Sequence, residues 1–350
     1  MALKFESVGM CEDAIDCHIR SGNTKAAVDC AVQLNRWDKA IELAEKYEFP
    51  QVEGLLVRFA ANLIAKNKML EVVELYRRAN KPTEAAMKIG DIADEVAKKD
   101  VKPSLAKKLH VLSALEVERH RKKTMDRVTQ ATLNAGATGI AQATAATLET
   151  LMMTSLDTDN NGTNNTVGGG SKRAKSFGNA WRGASAYHFY MLAQRQFYAG
   201  SMDAAMKTSI KCCEFDDILD PKDIYCLLAL TALHCGFYGI CSKAFVKLET
   251  LSDIPEADRD ALETLAVKIF IKNAPNDPAV LPEPYIKCLD MGKPFKACVI
   301  TGRAMQDSQA YMCKCCRNSM LEHEKLSQRL QNCPLCHSAL PKEDTRSTLL

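Results

Sequence analysis

The sequence predicts a mostly α-helical chain: an α-solenoid of degenerate, tetratricopeptide-like helical hairpins that ends in a small cysteine-held module. Three observations predict it. Apolar residues recur at i, i+3, i+4 spacing through much of the chain, with no strand-like alternation in the first hundred residues. Short sequence units repeat at fixed intervals in two separate regions. Toward the C-terminal end, four cysteines fall as two Cys-x2-Cys pairs, a pattern foreign to helical repeats.

Composition sets the outer bounds. The 350 residues suffice for two or three units, and 47% of them are hydrophobic, ample for buried cores. Lys+Arg 46 against Asp+Glu 43 leaves a net charge of +3, which excludes the broad basic footprint of a histone-like or polybasic membrane-binding protein. Residues 1–10 include Lys4 and Glu6 and no apolar run, so no secretory signal is expected there. Most of the fifteen cysteines stand singly or doubly in helical patterns, as Cys17, Cys30, Cys226 and Cys235 do. They read as buried thiols of a reducing compartment, not as a disulfide framework.

Residues 1–128 read as a first helical array. Ala14-Ile15-Asp16-Cys17, Ala27-Val28-Asp29-Cys30 and Ala40-Ile41-Glu42-Leu43 recur every 13 residues, separated by the turn signals Ser21-Gly22-Asn23 and Asn35-Arg36. A longer helix follows with Val52, Leu55, Leu56, Phe59, Ala60, Leu63 and Ile64 on one face, then another marked by Met69, Val72, Val73 and Tyr76. Pro82 suits the first turn of a helix carrying Ala85, Ala86, Ile89, Ala93 and Val96. Pro103 opens one more, through Leu105, Leu109, Leu112 and Leu115 into the basic run from Arg119 to Lys123. No aromatic residues interleave with those charges, so they read as a solvated face or the exposed last turns of a helix. Each hairpin is too small to bury its face alone, and stacking is expected.

From 129 to 179 the composition turns to Thr, Ala, Gly and Gln, then to Asn, Gly and Ser, which predicts a low-complexity, partly disordered insertion. Asp157, Asp159, Asn161 and Gly162 imitate the start of a calcium-binding loop, but Gly168 stands where the bidentate glutamate belongs, which argues against calcium. Residues 180–274 form a second array whose repeat can be counted. Phe189, Leu192, Ala193, Gly200 and Ala205 return 36 residues later as Tyr225, Leu228, Ala229, Gly236 and Cys241. Large apolar residues, a small one at the helix crossing, a turn glycine and another small residue make the tetratricopeptide grammar. Gln196 and Ala232 replace its mid-helix aromatic, so the repeats are degenerate. Residues 224–241 carry no formal charge, yet His234 lies among them and Gly236 and Gly239 break the run. A buried hairpin is expected there, not a membrane span. Residues 261–271 supply a further helix, and Pro282 and Pro284 predict an extended connector over 275–297.

The constellation that carries chemistry lies in residues 298–341. Cys313-x2-Cys316 and Cys333-x2-Cys336 are separated by 16 residues. Each such turn aims two sulfurs at one ion while the following backbone amides donate to the thiolates. Two of them close a tetrahedron, which predicts one structural Zn2+ held by Cys313, Cys316, Cys333 and Cys336. Cys315 offers a competing Cys-x-Cys spacing, with His323, His337 and the more distant Cys298 as other alternates; the matched spacers favour Cys313 and Cys316. A closed four-thiolate site leaves no position for water, so the ion is expected to be structural rather than catalytic. Residues 342–350 read as a flexible tail.

Enzyme machinery is missing from the pattern. There is no P-loop, no dinucleotide-type glycine fingerprint and no His-Glu-x-x-His. The neighbours Cys17/His18 and His234/Cys235 lie in helical patterns, where adjacent side chains diverge by about 100°. A cross-braced ubiquitin-ligase module needs eight ligands, and between Cys316 and Cys333 only His323 is a candidate.

Lys25-Ala-Ala-Val-Asp29, the run from Leu34 to Ala40 and Ala180-Trp-Arg-Gly-Ala184 resemble the C-terminal half of the WD-repeat subunits of intraflagellar transport complex A. So do Ala186 to Tyr190, Leu192 to Gln196, Cys241 to Phe245, Met312-Cys313 and Cys333 to Ser338. The resemblance implies a C-terminal piece without the family's paired β-propellers. It also implies a non-enzymatic scaffold that meets the complex's paralogous WD-repeat solenoid subunits and a small non-repeat subunit. The expected work is retrograde ciliary transport, ciliary membrane-protein entry and cilium assembly, in the cytoplasm, cilium, axoneme and basal body. Nucleic acid and small-molecule substrates are not expected. A vesicle-coat or tethering-complex subunit is the alternative, because coats share the propeller–solenoid plan.

Overall fold

The computed structural model describes residues 2–34, 36–47, 51–66, 68–100, 102–134, 180–252, 254–305, 310–322, 325 and 330–340. Residues 135–179 of the expected insertion, the tail and His323 lie outside them. The described residues form helices and one small hairpin, and the chain divides into two compact units: residues 1–95 with 112–180, and 96–111 with 181–350.

In the first unit, the 13-residue repeat becomes α1 (Ala2–Val8), α2 (Cys11–Arg20), α3 (Thr24–Gln33) and α4 (Trp37–Lys46). A ten-residue helix plus a three-residue turn returns the same position to each crossing, so Ala14, Ala27 and Ala40 are all fully buried. Gly22, at φ +75°, makes the first of these turns, and the Asn23 side chain caps α3 by accepting the Ala26 N–H at 3.2 Å. In α5 (Gln51–Ala65) and α6 (Met69–Arg78), Leu56, Ala60, Val72 and Leu75 pack around buried Trp37. The buried face of α5 is narrower than its sequence suggests: Phe59 and Ile64 remain exposed, Phe59 lying beside the Trp37 ring.

In α7 (Pro82–Asp100), Ala85, Ala86, Ile89 and Ala93 are buried as their spacing predicts. The leucine face expected for α8 (Pro103–Asn134) is the wrong one. Leu105, Leu112 and Leu115 are exposed, whereas Ala106, Ala114 and Val117 are buried. Ser113 explains the choice in the first unit: its hydroxyl donates to the Ala86 carbonyl at 2.7 Å, beside Gly90, a close approach that suits small side chains. The basic run is not the end of this helix, which continues to Asn134; Arg121 pairs there with Glu118 at 2.9 Å.

In the second unit the counted repeat is α9 (Arg182–Tyr198), α10 (Met202–Cys212), α11 (Pro221–His234) and α12 (Tyr238–Glu249). Phe189, Ala193, Ala205, Leu228, Ala229 and Cys241 are buried, and Gly200 and Gly236, at φ +77° and +73°, form the equivalent turns. Residues 224–241 are therefore a helical hairpin, and no helix among the described residues is long and apolar enough to cross a membrane. Gly239 makes no turn. It opens α12, where the Asp277 carboxylate accepts its N–H at 2.8 Å and a β-carbon would meet that carboxylate at 2.7 Å.

After α13 (Glu256–Phe270), the predicted extended connector contains a helix, α14 (Glu283–Met291). Pro282 caps it and Pro284 lies in its first turn, where a missing N–H costs nothing and the fixed φ favours helix. The connector's far end is held by Lys211, which is buried, pairs with Glu214 at 2.6 Å and faces the Phe295 ring at 4.8 Å.

Candidate metal centre

Three tight turns of one design build the C-terminal module. They are closed by the backbone pairs Ala297↔Ala304, Met312↔Ser319 and Asn332↔Ala339, the middle pair ending a hairpin of β1 (Ala310–Met312) and β2 (Ser319–Leu321). Each turn starts with a cysteine: Cys298, Cys313 or Cys333. Its N–H donates to the carbonyl five residues on, of Arg303, Asn318 or Ser338, at 2.9–3.0 Å. Its carbonyl accepts from the N–H four residues on, of Gly302, Arg317 or His337, at 2.7–2.9 Å. Those last three residues are all left-handed, at φ +73°, +56° and +60°.

The fourth residue of each turn decides its chemistry. It is Cys316 and Cys336 in the second and third turns, and Thr301 in the first. The sulfurs of Cys313, Cys316, Cys333 and Cys336 lie within 4.8 Å of one another, and all four residues are buried. Across the two turns, Cys313 and Cys336 are 3.7 Å apart, as are Cys316 and Cys333. A disulfide requires about 2 Å. A tetrahedron of sulfurs bonded to zinc at about 2.3 Å has edges of about 3.8 Å, which these contacts match. The donor set therefore fits a tetrahedral tetrathiolate ion.

Backbone amides serve the sulfurs. Asn318 donates to Cys316, Ser338 to Cys336, and Leu335 and Cys336 to Cys333. Hydrogen bonds from Cys316 and Cys333 hold Cys336 far below the usual thiol range, while bonds to Cys333 and Cys336 keep the Cys316 proton in place.

None of the described alternates belongs to this converging set of four, although Cys315 reaches Cys336 with a hydrogen bond. Cys315 is half-buried, and burial pushes its thiol up to about 11. His337 is exposed, at the left-handed position of its turn. Cys298 is fully buried and heads the first turn, where its sulfur accepts the Leu321 N–H at 3.3 Å. This first turn escaped the sequence reading because Thr301 stands at its second ligand position; the alignable signal is Cys298-x3-Gly302 against Cys313-x3-Arg317 and Cys333-x3-His337. The Thr301 hydroxyl is buried with no hydrogen-bond partner among the described residues.

The metal-free turn serves attachment instead. His188 Nε2 donates to the Val299 carbonyl at 2.6 Å, and Gln196 Nε2 to the Thr301 carbonyl at 2.9 Å. The Thr208 hydroxyl donates to Gln196 Oε1 at 2.7 Å and lies so near Gly302 that a β-carbon there would meet it at 2.0 Å. Gln196, which broke the repeat grammar, is thus the bridge from α9 to the module. Burial holds His188 neutral, pushing its pKa down to about 3. On the third turn, Lys107 Nζ donates to the Pro334 carbonyl at 2.8 Å. Burial lowers the Lys107 pKa, while the Cys333 and Cys336 sulfurs favour its charged form.

Three family models match the chain: WD repeat-containing protein 35, TPR repeats, over residues 50–119; IFT121-like, TPR repeats, over 178–277; and IFT121, second zinc finger domain, over 296–341. WD repeat-containing protein 35 of Homo sapiens is 38% identical over 340 residues, and its Rattus norvegicus and Mus musculus counterparts are 40% identical over 347. The chain is a relative of WD repeat-containing protein 35. The match covers 97% of this chain and 27% of each relative, so the chain spans about a quarter of their length. The zinc-finger match covers all three turns, the metal-free one included.

Proposed function

We propose that the chain is the solenoid and zinc-module part of a non-enzymatic scaffold subunit of intraflagellar transport complex A. One structural Zn2+ is held by Cys313, Cys316, Cys333 and Cys336. The observation that most supports this reading is a closed, buried four-sulfur site at the end of stacked helical hairpins, in a chain similar to WD repeat-containing protein 35 over 97% of its length. When bound, the ion supplies a cross-link between two turns and no open coordination position. The chain's own residues do the rest: amides stabilise the thiolates, and His188, Gln196 and Lys107 fix the module on the helices.

Extended helical arrays bind partners along a surface rather than in a pocket. The partners proposed are the paralogous WD-repeat solenoid subunits and the small non-repeat subunit of the complex. The setting is cytoplasm, cilium, axoneme and basal body. The work is retrograde transport, ciliary membrane-protein entry and cilium assembly. Affinity purification of the tagged chain from ciliated cells tests it: complex A subunits are expected, together with one zinc per chain by elemental analysis. Recovery of vesicle-coat or tethering subunits in their place, from ciliated and non-ciliated cells alike, overturns the assignment.

A further inference from the structure

A buried lysine and the buried four-sulfur cluster meet at the third turn. Lys107, on α8, is 9% exposed, and its ammonium makes one hydrogen bond, to the Pro334 carbonyl. No carboxylate among the described residues pairs with it. The other buried lysines are accommodated differently: Lys211 by Glu214, and Lys325 by the Tyr311 ring at 4.3 Å. An ammonium taken from water without an anion is costly. Pro334 lies between Cys333 and Cys336, so the lone ammonium sits on the turn that supplies two of the four sulfurs. Four thiolates around one Zn2+ carry a net charge of −2, also buried. The four amides that donate to sulfur spread this charge but do not neutralise it.

We propose that Lys107 is the counter-charge of the tetrathiolate centre, a positioning residue that couples zinc binding to docking of the third turn on α8. The inference rests on the zinc reading above. Coupling is reciprocal: whatever Lys107 adds to zinc affinity, zinc adds to the docking of α8. Without the ion the four sulfurs no longer hold a fixed charge of −2 beside the lysine, and the contact loses that compensation for its burial.

The test is zinc affinity of the whole chain, measured by competition with a chromogenic chelator, together with thermal melting of zinc-loaded and chelated forms. Lys107→Met is expected to weaken zinc binding by about 10–100-fold. Lys108→Met, at an exposed neighbour on the same helix, is expected to leave it unchanged. Lys107→Met is also expected to lower the melting temperature of the zinc-loaded form and not that of the chelated form. A merely structural lysine would lower both equally, and that result, or unaltered zinc affinity, overturns the inference. A wild-type chain that binds no zinc overturns the zinc reading itself, a failure distinct from these.

Discussion

Gly302, Thr208 and Gln196 meet where the metal-free turn lands on the helices, and each is there for a separate physical reason. Gly302 is left-handed and has no room for a β-carbon against the Thr208 hydroxyl. Gly236 is equally left-handed but has open space around it. Gly302→Ala is therefore expected to cost about 2–4 kcal/mol, combining strain and overlap, against about 1 kcal/mol for Gly236→Ala. Equal losses in chemical denaturation would refute the close contact. His188 gives a pH signature. Buried and neutral, it resists protonation down to about 3, whereas in the unfolded chain it takes a proton near 6.5. Its contribution is thus complete above about 6.5 and is lost as pH falls toward 3, by up to roughly 1.4 kcal/mol per pH unit. His188→Gln should be less stable than wild type at pH 7.5, and the gap should narrow steadily from pH 6.5 to 4.5. A constant gap would place the histidine's role in shape alone. The contacts of His188 and Gln196 with the module were not legible in the sequence, because their partners there lie about a hundred residues away and no local period connects them.

Elements were legible where a period was strong and failed where the choice of face depended on a neighbour. The 36-residue repeat placed Ala193 and Ala229 at helix crossings, and both are buried. Ala193→Leu is expected to overpack the crossing of α9 with its neighbours and cost about 1–3 kcal/mol; an unchanged melting temperature would mean the crossing is looser than its 0% exposure implies. On α8 hydrophobicity pointed to the leucines, yet small residues won, since helix approach is limited by side-chain bulk before it is driven by apolar area. Pro282 and Pro284 misled for a related reason: proline opposes a helix interior but favours its first turn, and sequence alone does not say which side of it the helix lies on. The two metal-type turns were readable from their cysteines, and the third was not, because the fold conserves backbone geometry while Thr301 drops the ligand.

At the scale of the whole chain, the cysteine module and the helical arrays draw on different sources of stability, and removal of metal should separate them. Between 297 and 340 the large buried apolar side chains among the described residues are few, Val299, Met320, Leu335 and Leu340, so burial alone stabilises the segment weakly. Zinc–thiolate binding in small modules contributes on the order of 10–16 kcal/mol, enough to offset the ordering cost. The second unit's helices rest instead on a core that includes Met206, Ile210, Leu228, Ile240, Phe245 and Leu248, which contains no ligand sulfur. Chelation, or Cys333→Ser, should therefore abolish amide protection in the three turns while far-UV circular dichroism keeps most of its helical signal. Cys316→Ser should behave like Cys333→Ser, and Cys315→Ser should retain one zinc per chain, because the Cys315 sulfur is not among the four that converge. Loss of zinc from Cys315→Ser with retention by Cys316→Ser would reassign the ligand. Protection lost from α11 and α12 as fast as from the turns would show that the ion stabilises the helical array directly, and not only the module fastened to it.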